Sequence, residues 1–203
     1  MEEAEAEEIN EVSSAATRSK HEDQDGAIIF QVENVLLQGR DSSTQLVAAS
    51  FDTHGSSHFI SGELADNFNW AKEEEDRSFE IDTIHGKAFT KHQVLEVKLL
   101  TLSGAVMLEA IKGSWIDPKE EDTLDPETAS KFGIATPELE DCEGRALPRL
   151  IIGCSKLSSL HPKSIPAPPG FNDLHPNLAC FRSRISRAVL CAGATGAGLG
   201  NRF

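Results

Sequence analysis

The sequence predicts an all-β domain carrying one or two short helices. Short runs of alternating or continuous apolar residues recur from Ala27 to Cys191, each bounded by Gly, Asp, Asn or Ser clusters. That is the pattern of short strands joined by turns. Helix-start chemistry is confined to two places, Ser61 ahead of Glu63–Phe68 and Pro126 ahead of Phe132. Hydrophobic residues make up 39% of the 203, which suits one packed domain with polar segments attached.

The strands follow in order. Ile28 to Leu37 reads as the first, and Gly39-Arg40-Asp41-Ser42-Ser43 as a turn cluster. Gln45 to Phe51 reads as the second strand, completing a hairpin. A capped helix follows Ser61, and Lys72 to Arg77 reads as a charged turn. Phe79 to Ile84 alternates, His85-Gly86-Lys87 is a tight-turn candidate, and Val94 to Leu99 alternates again. Ser103-Gly104 leads into the strand Ala105 to Ile111. Residues 117–142, rich in Asp and Glu, read as a surface insertion with a short helix from Pro126 to Phe132. Leu150-Ile151-Ile152-Gly153 is a brief buried strand running towards a helix candidate from Cys154 to Leu160. Pro162 to Pro176 holds five prolines and reads as loop, and Phe181 to Cys191 supplies the last strands.

Charge divides the chain further. Residues 1–25 carry net −7 and few large apolar side chains, so residues 1–26 read as an acidic disordered tail. The folded domain then spans 27–195, and a Gly-rich tail covers 196–203. The overall charge of −14 argues against nucleic acid or an anionic membrane as partner, since both recruit basic surfaces. No apolar run approaches the ~20 residues that cross a bilayer. The acidic start has the wrong charge for a targeting peptide, which points to a cytoplasmic or otherwise intracellular protein. Cys142, Cys154, Cys180 and Cys191 show no zinc spacing and read as reduced thiols. His54 and His58 would share a metal only on a helix, and their neighbours read as turn and strand. No metal or cofactor is expected.

Chemistry concentrates in Phe51-Asp52-Thr53-His54-Gly55-Ser56-Ser57-His58-Phe59-Ile60. An acidic residue ends an apolar strand, where a carboxylate is costly unless paired or hydrogen-bonded. An Asx-turn is the plainer explanation.

This segment, with the following Leu64-Ala65, resembles the active-site stretch of retropepsin-like aspartic peptidases. More narrowly, the chain is similar to the peptidase domain of BEL/Pao-type retrotransposon polyproteins. Ile84-His85-Gly86-Lys87 resembles the family's flap hairpin. Arg149 to Gly153 and then Leu160-His161-Pro162 resemble its apolar-apolar-Gly segment and its His-Pro. Leu178 to Ile185 and Val189 to Gly193 resemble its closing strands. The resemblance implies a closed β-barrel half-site that forms a homodimer, with extended polypeptide as substrate or ligand. It implies Asp52 as the catalytic carboxylate, Thr53 as a brace beneath it, and His54 and Gly55 as the active-site loop. Ile84, His85 and Gly86 would form the flap, and Ile151, Ile152 and Gly153 would pack under the site.

One departure stands out. The family has Gly directly after Asp-Thr, where this chain has His54. An imidazole there would crowd a partner subunit and favour ionisation of both carboxylates, weakening peptide hydrolysis. A non-cutting domain that dimerises or binds peptide is the alternative. An unrelated β-rich adaptor is a third reading, with composition alone behind it.

Overall fold

The computed structural model describes residues 10–12, 28–53, 55–68, 70, 75–83, 86–113, 123–137, 148–154 and 158–195. The strands are β1 (Asn10–Val12), β2 (Ile28–Ile29), β3 (Val32–Gln38), β4 (Thr44–Phe51), β5 (His58–Ser61), β6 (Glu75–Thr83), β7 (Gly86–Thr101), β8 (Gly104–Gly113), β9 (Leu150–Ile152), β10 (Lys163–Ile165), β11 (Leu178–Arg182) and β12 (Val189–Ala194). Three short helices accompany them: α1 (Gly62–Asn67), α2 (Pro126–Phe132) and α3 (Phe171–Leu174).

Strands β3, β4, β9, β5, β8 and β7 close into a six-stranded barrel, because β7 pairs with both β3 and β8. The expected all-β class therefore holds. Alternation along β3 and β7 points Val35, Leu37, Leu95, Val97 and Leu99 inward, each at most 1% exposed. They meet Val47, Ile60, Leu108, Leu150 and Ile152 from the other strands in one apolar core. Most neighbours run antiparallel, but β9 lies parallel to β4 and β5 lies parallel to β8. Strand β9 thus sits between β4 and β5, which are consecutive in sequence.

Besides pairing with β3 over Lys98–Leu100, the long strand β7 serves two further partners. Its first half pairs with β6 from Thr83↔Gly86 to Glu75↔Val94, and its second half with β8 from Val94↔Ile111 onward. The β6–β7 hairpin therefore projects from the barrel, rooted where Phe79, Val94, Phe59 and Ile111 pack together with the half-buried Ile151. Residues expected as a charged turn, Glu75 to Arg77, instead begin β6.

A second sheet runs β10-β11-β12-β2. The continuous strand expected over Ile28–Leu37 is broken at Phe30-Gln31: β2 joins β12 in this sheet, and β3 enters the barrel. Glu33 fastens the two sheets. Its carboxylate is 1% exposed and accepts hydrogen bonds from Ser183 Oγ and Ser186 Oγ, each at 2.5 Å, on the β11–β12 connection.

Several expectations are corrected. Within the tail assigned to residues 1–26, Asn10–Val12 forms β1, parallel to Phe79–Ile81 of β6. The open edge of β6 supplies the hydrogen bonds that the segment's composition does not. Part of the acidic insertion is not mere surface, because Leu124, Ala129 and Ile134 bury beside Phe171, Leu178, Cys180 and Cys191. The proline-rich stretch holds β10 on a sheet edge and α3, where its prolines spare the bonded positions. No helix covers the described residues of 154–160. The capped helices form as predicted: Ser61 Oγ accepts from Leu64 N–H, and Asp125 accepts from Thr128 N–H ahead of Pro126.

Candidate functional site

Apolar strand residues carry the chain to Phe51, and Asp52 follows at once, at the end of β4. The loop from Asp52 to Ser57 is then held from three sides by main-chain hydrogen bonds. Phe51 N–H donates to Gln31 O at 3.1 Å, from the junction where the chain changes sheets. Asp52 N–H donates to Ile152 O at 3.1 Å, and Cys154 N–H donates to Gly55 O at 2.7 Å. Such bonds satisfy the loop's buried backbone groups and fix its path.

Two glycines make this packing possible. A Cβ built on Gly55 would overlap Asp52 Oδ2 and stand 3.0 Å from Asp52 Cγ. A Cβ on Gly153 would overlap the Ser57 carbonyl oxygen and approach Ser57 N to 2.8 Å. Glycine at both positions therefore lets backbone lie directly against the carboxylate and against the loop.

The loop is also latched by a side chain. Gly153 N–H donates to His58 Nδ1 at 3.1 Å. Accepting at Nδ1 places the proton of the neutral imidazole on Nε2. His58 is 6% exposed, and burial, then the neighbouring His161, holds its pKa below the usual histidine range. His161 in turn sets its ring edge against Phe51, with centroids 6.1 Å apart, and its Nε2 is buried without a hydrogen-bond partner among the described residues.

The residues singled out from sequence are brought together in part. Asp52 is half-buried, Thr53 exposed and Gly55 buried. Ile152 and Gly153 lie directly behind the loop, while Ile151 faces the root of the β6–β7 hairpin. Gly86 opens β7 opposite Thr83. His54, Ile84 and His85 lie outside the described residues. Among the described residues, no three His, Cys, Asp or Glu side chains group to hold a metal ion. No helix among them is long and apolar enough to cross a membrane.

Comparison with family models, with curated proteins and with solved structures returned no match. The loop's geometry therefore carries the chemistry on its own. It offers a half-buried carboxylate against glycine backbone, on a strand end tied to β9, with Thr53 facing outward. Sequence reasoning missed two supports. The latch role of His58 had a signal, since a histidine leading into the apolar pair Phe59-Ile60 is placed to turn inward. Gln31 had none, because only its backbone carbonyl acts.

Proposed function

We propose that this chain is a retropepsin-like aspartic endopeptidase domain of retroelement origin, cutting extended polypeptide through Asp52 carboxylates from two copies, with activity weakened by His54. The observation that carries the proposal is the approach of Gly55 to Asp52. A Cβ at residue 55 would overlap Oδ2, so glycine is what lets the backbone lie this close to the carboxylate.

Two such carboxylates brought face to face share one proton, because like charges ~3 Å apart cannot both ionise. The ionised one takes a proton from water as that water attacks the scissile carbonyl, and the protonated one donates to the carbonyl oxygen. One Asp-Thr-x-Gly motif occurs in the sequence, so the pair requires a second copy. Thr53 would brace the two copies, and the β6–β7 hairpin would cover an extended peptide.

The test is cleavage of an unfolded protein substrate between about pH 4 and 7, with pepstatin and Asp52→Asn as controls. Pepstatin-sensitive cleavage that is lost in Asp52→Asn is the expected result. His54 favours a second reading, a domain that dimerises and binds peptide without cutting. A folded dimer that binds peptide equally with Asp52 or Asn and never cleaves would establish that reading instead.

A further inference from the structure

The register of the β11–β12 hairpin sets Cys180 opposite Cys191. Near its turn, Ser183 N–H donates to Ala188 O at 2.8 Å, so 183 and 188 form a hydrogen-bonded pair. Bonded and non-bonded pairs alternate along an antiparallel ladder. Three residues on, Cys180 and Cys191 are therefore a non-bonded pair. Val189 agrees with that phase, because its carbonyl turns away from β11 and accepts from Ala135 N–H at 2.8 Å. Non-bonded pairs bring Cα atoms to about 4.5 Å with side chains close together, within the roughly 4.4–6.8 Å that a disulfide spans. Both cysteines are free thiols, and both point into the same apolar cluster beside Ile29 and Leu178.

We infer that Cys180 and Cys191 are the two halves of a reversible cross-strand disulfide, formed by exchange with a low-molecular-weight disulfide. One thiol loses its proton and attacks a sulfur of that oxidant, giving a mixed disulfide and one released small thiol. The second protein thiolate attacks the protein sulfur of the mixed disulfide and expels the second small thiol. Two protein thiols are oxidised, one small disulfide is reduced, and both protons end on the released thiols.

Burial governs the rate. It raises both thiols, and together with the neighbouring Cys180 it pushes Cys191 up to about 12. The closed hairpin is thus inert, and exchange proceeds when the hairpin opens beside the three-residue edge strand β10. Once formed, the bond fixes the hairpin that holds β2, and so stiffens the whole second sheet.

The full chain, equilibrated with oxidised glutathione with and without mild urea, is alkylated, digested with trypsin unreduced and mass-analysed. The expected product is peptide 164–182 joined to 188–202, two hydrogen atoms lighter than the separate peptides and released by dithiothreitol. The oxidised chain should also melt about 5 °C higher than the reduced one, a difference that disappears in Cys180→Ala. Alkylated or singly glutathionylated Cys180 and Cys191 in both conditions, or linkage of either to Cys142 or Cys154 instead, would overturn the assignment.

Discussion

Gly153 and His58 are joined by an N–H to Nδ1 hydrogen bond of 3.1 Å, which ties the end of β9 to the start of β5 behind the Asp52 loop. The bond needs an unprotonated Nδ1, and burial with His161 nearby lowers the pKa of His58. Its folded value therefore lies below the unfolded value, so the unfolded chain takes up the proton first. The stabilisation is complete above about pH 6.5 and is lost as pH falls from there through the folded pKa. In His58→Asn the side-chain oxygen can accept the same N–H without titrating. Urea midpoints at about pH 7.5 and 5.5 should fall further for the native chain than for this variant, which itself costs about 1–2 kcal/mol at the higher pH. Equal falls would remove the latch from the account. The latch would also set an acid limit on any cleavage by the loop it supports.

Substituting Gly55 tests whether the loop is built around the carboxylate. The new methyl of Gly55→Ala would overlap Asp52 Oδ2, so backbone or carboxylate must move, at about 1–3 kcal/mol. In an Asp52→Ala background the obstacle is gone, and the same change should cost less than about 1 kcal/mol. A double-mutant cycle in urea measures the difference, and strict additivity would contradict the contact. If the domain cleaves peptides, Gly55→Ala should lower the rate by about tenfold or more.

Glu33 predicts a pH dependence of opposite sign. Burial raises its pKa, and the two serine hydroxyls only partly offset this. The folded value lies above the unfolded one, so the stability contribution is greatest below about pH 4.5 and declines as pH rises through the folded pKa. Glu33→Gln should flatten that decline, seen as a narrowing gap between the two stability curves at low pH. Glu33→Ala leaves Ser183 and Ser186 without their acceptor and should cost about 3 kcal/mol below about pH 4.5, and less as pH rises. A variant as stable as the native chain would show that the cluster does not hold the two sheets together.

The Ser61 cap supports α1 just beyond β5. Its hydroxyl accepts from Leu64 N–H at 3.3 Å in a buried setting. Ser61→Ala should destabilise the domain by about 1 kcal/mol, and Ser61→Thr by much less, both read from thermal melting. Identical melting for all three would place the stability of α1 in Leu64 and Ala65 packing alone.

Much of the barrel was legible because its signals are local. Alternation in Val94–Leu99, the Gly39–Ser43 turn, the Ser61 cap and the helix start at Pro126 each act within a few residues. The break at Phe30-Gln31 was not legible, since both sides are apolar or alternating and only the distant partner strands decide which sheet each joins. The same holds for Leu124, Ala129 and Ile134, spaced among acids, whose burial depends on Phe171 and Leu178 some forty residues away or more. At the candidate site, Asp52 and Gly55 were visible as residue types. The bonds from Ile152, Cys154 and Gln31 were not, because backbone groups carry no sequence signature.

The shortest strand of the second sheet has a kinetic consequence. Ile28 pairs with Ala194 and Ile29 with Gly193, so the first strand of that sheet meets its partner only after the barrel strands and all three helices have been synthesised. Closing so long a loop costs entropy that grows with the logarithm of its length, while two residues of pairing return little. Contacts this distant in sequence slow folding. During synthesis, β2 must wait unpaired until β12 has left the ribosome.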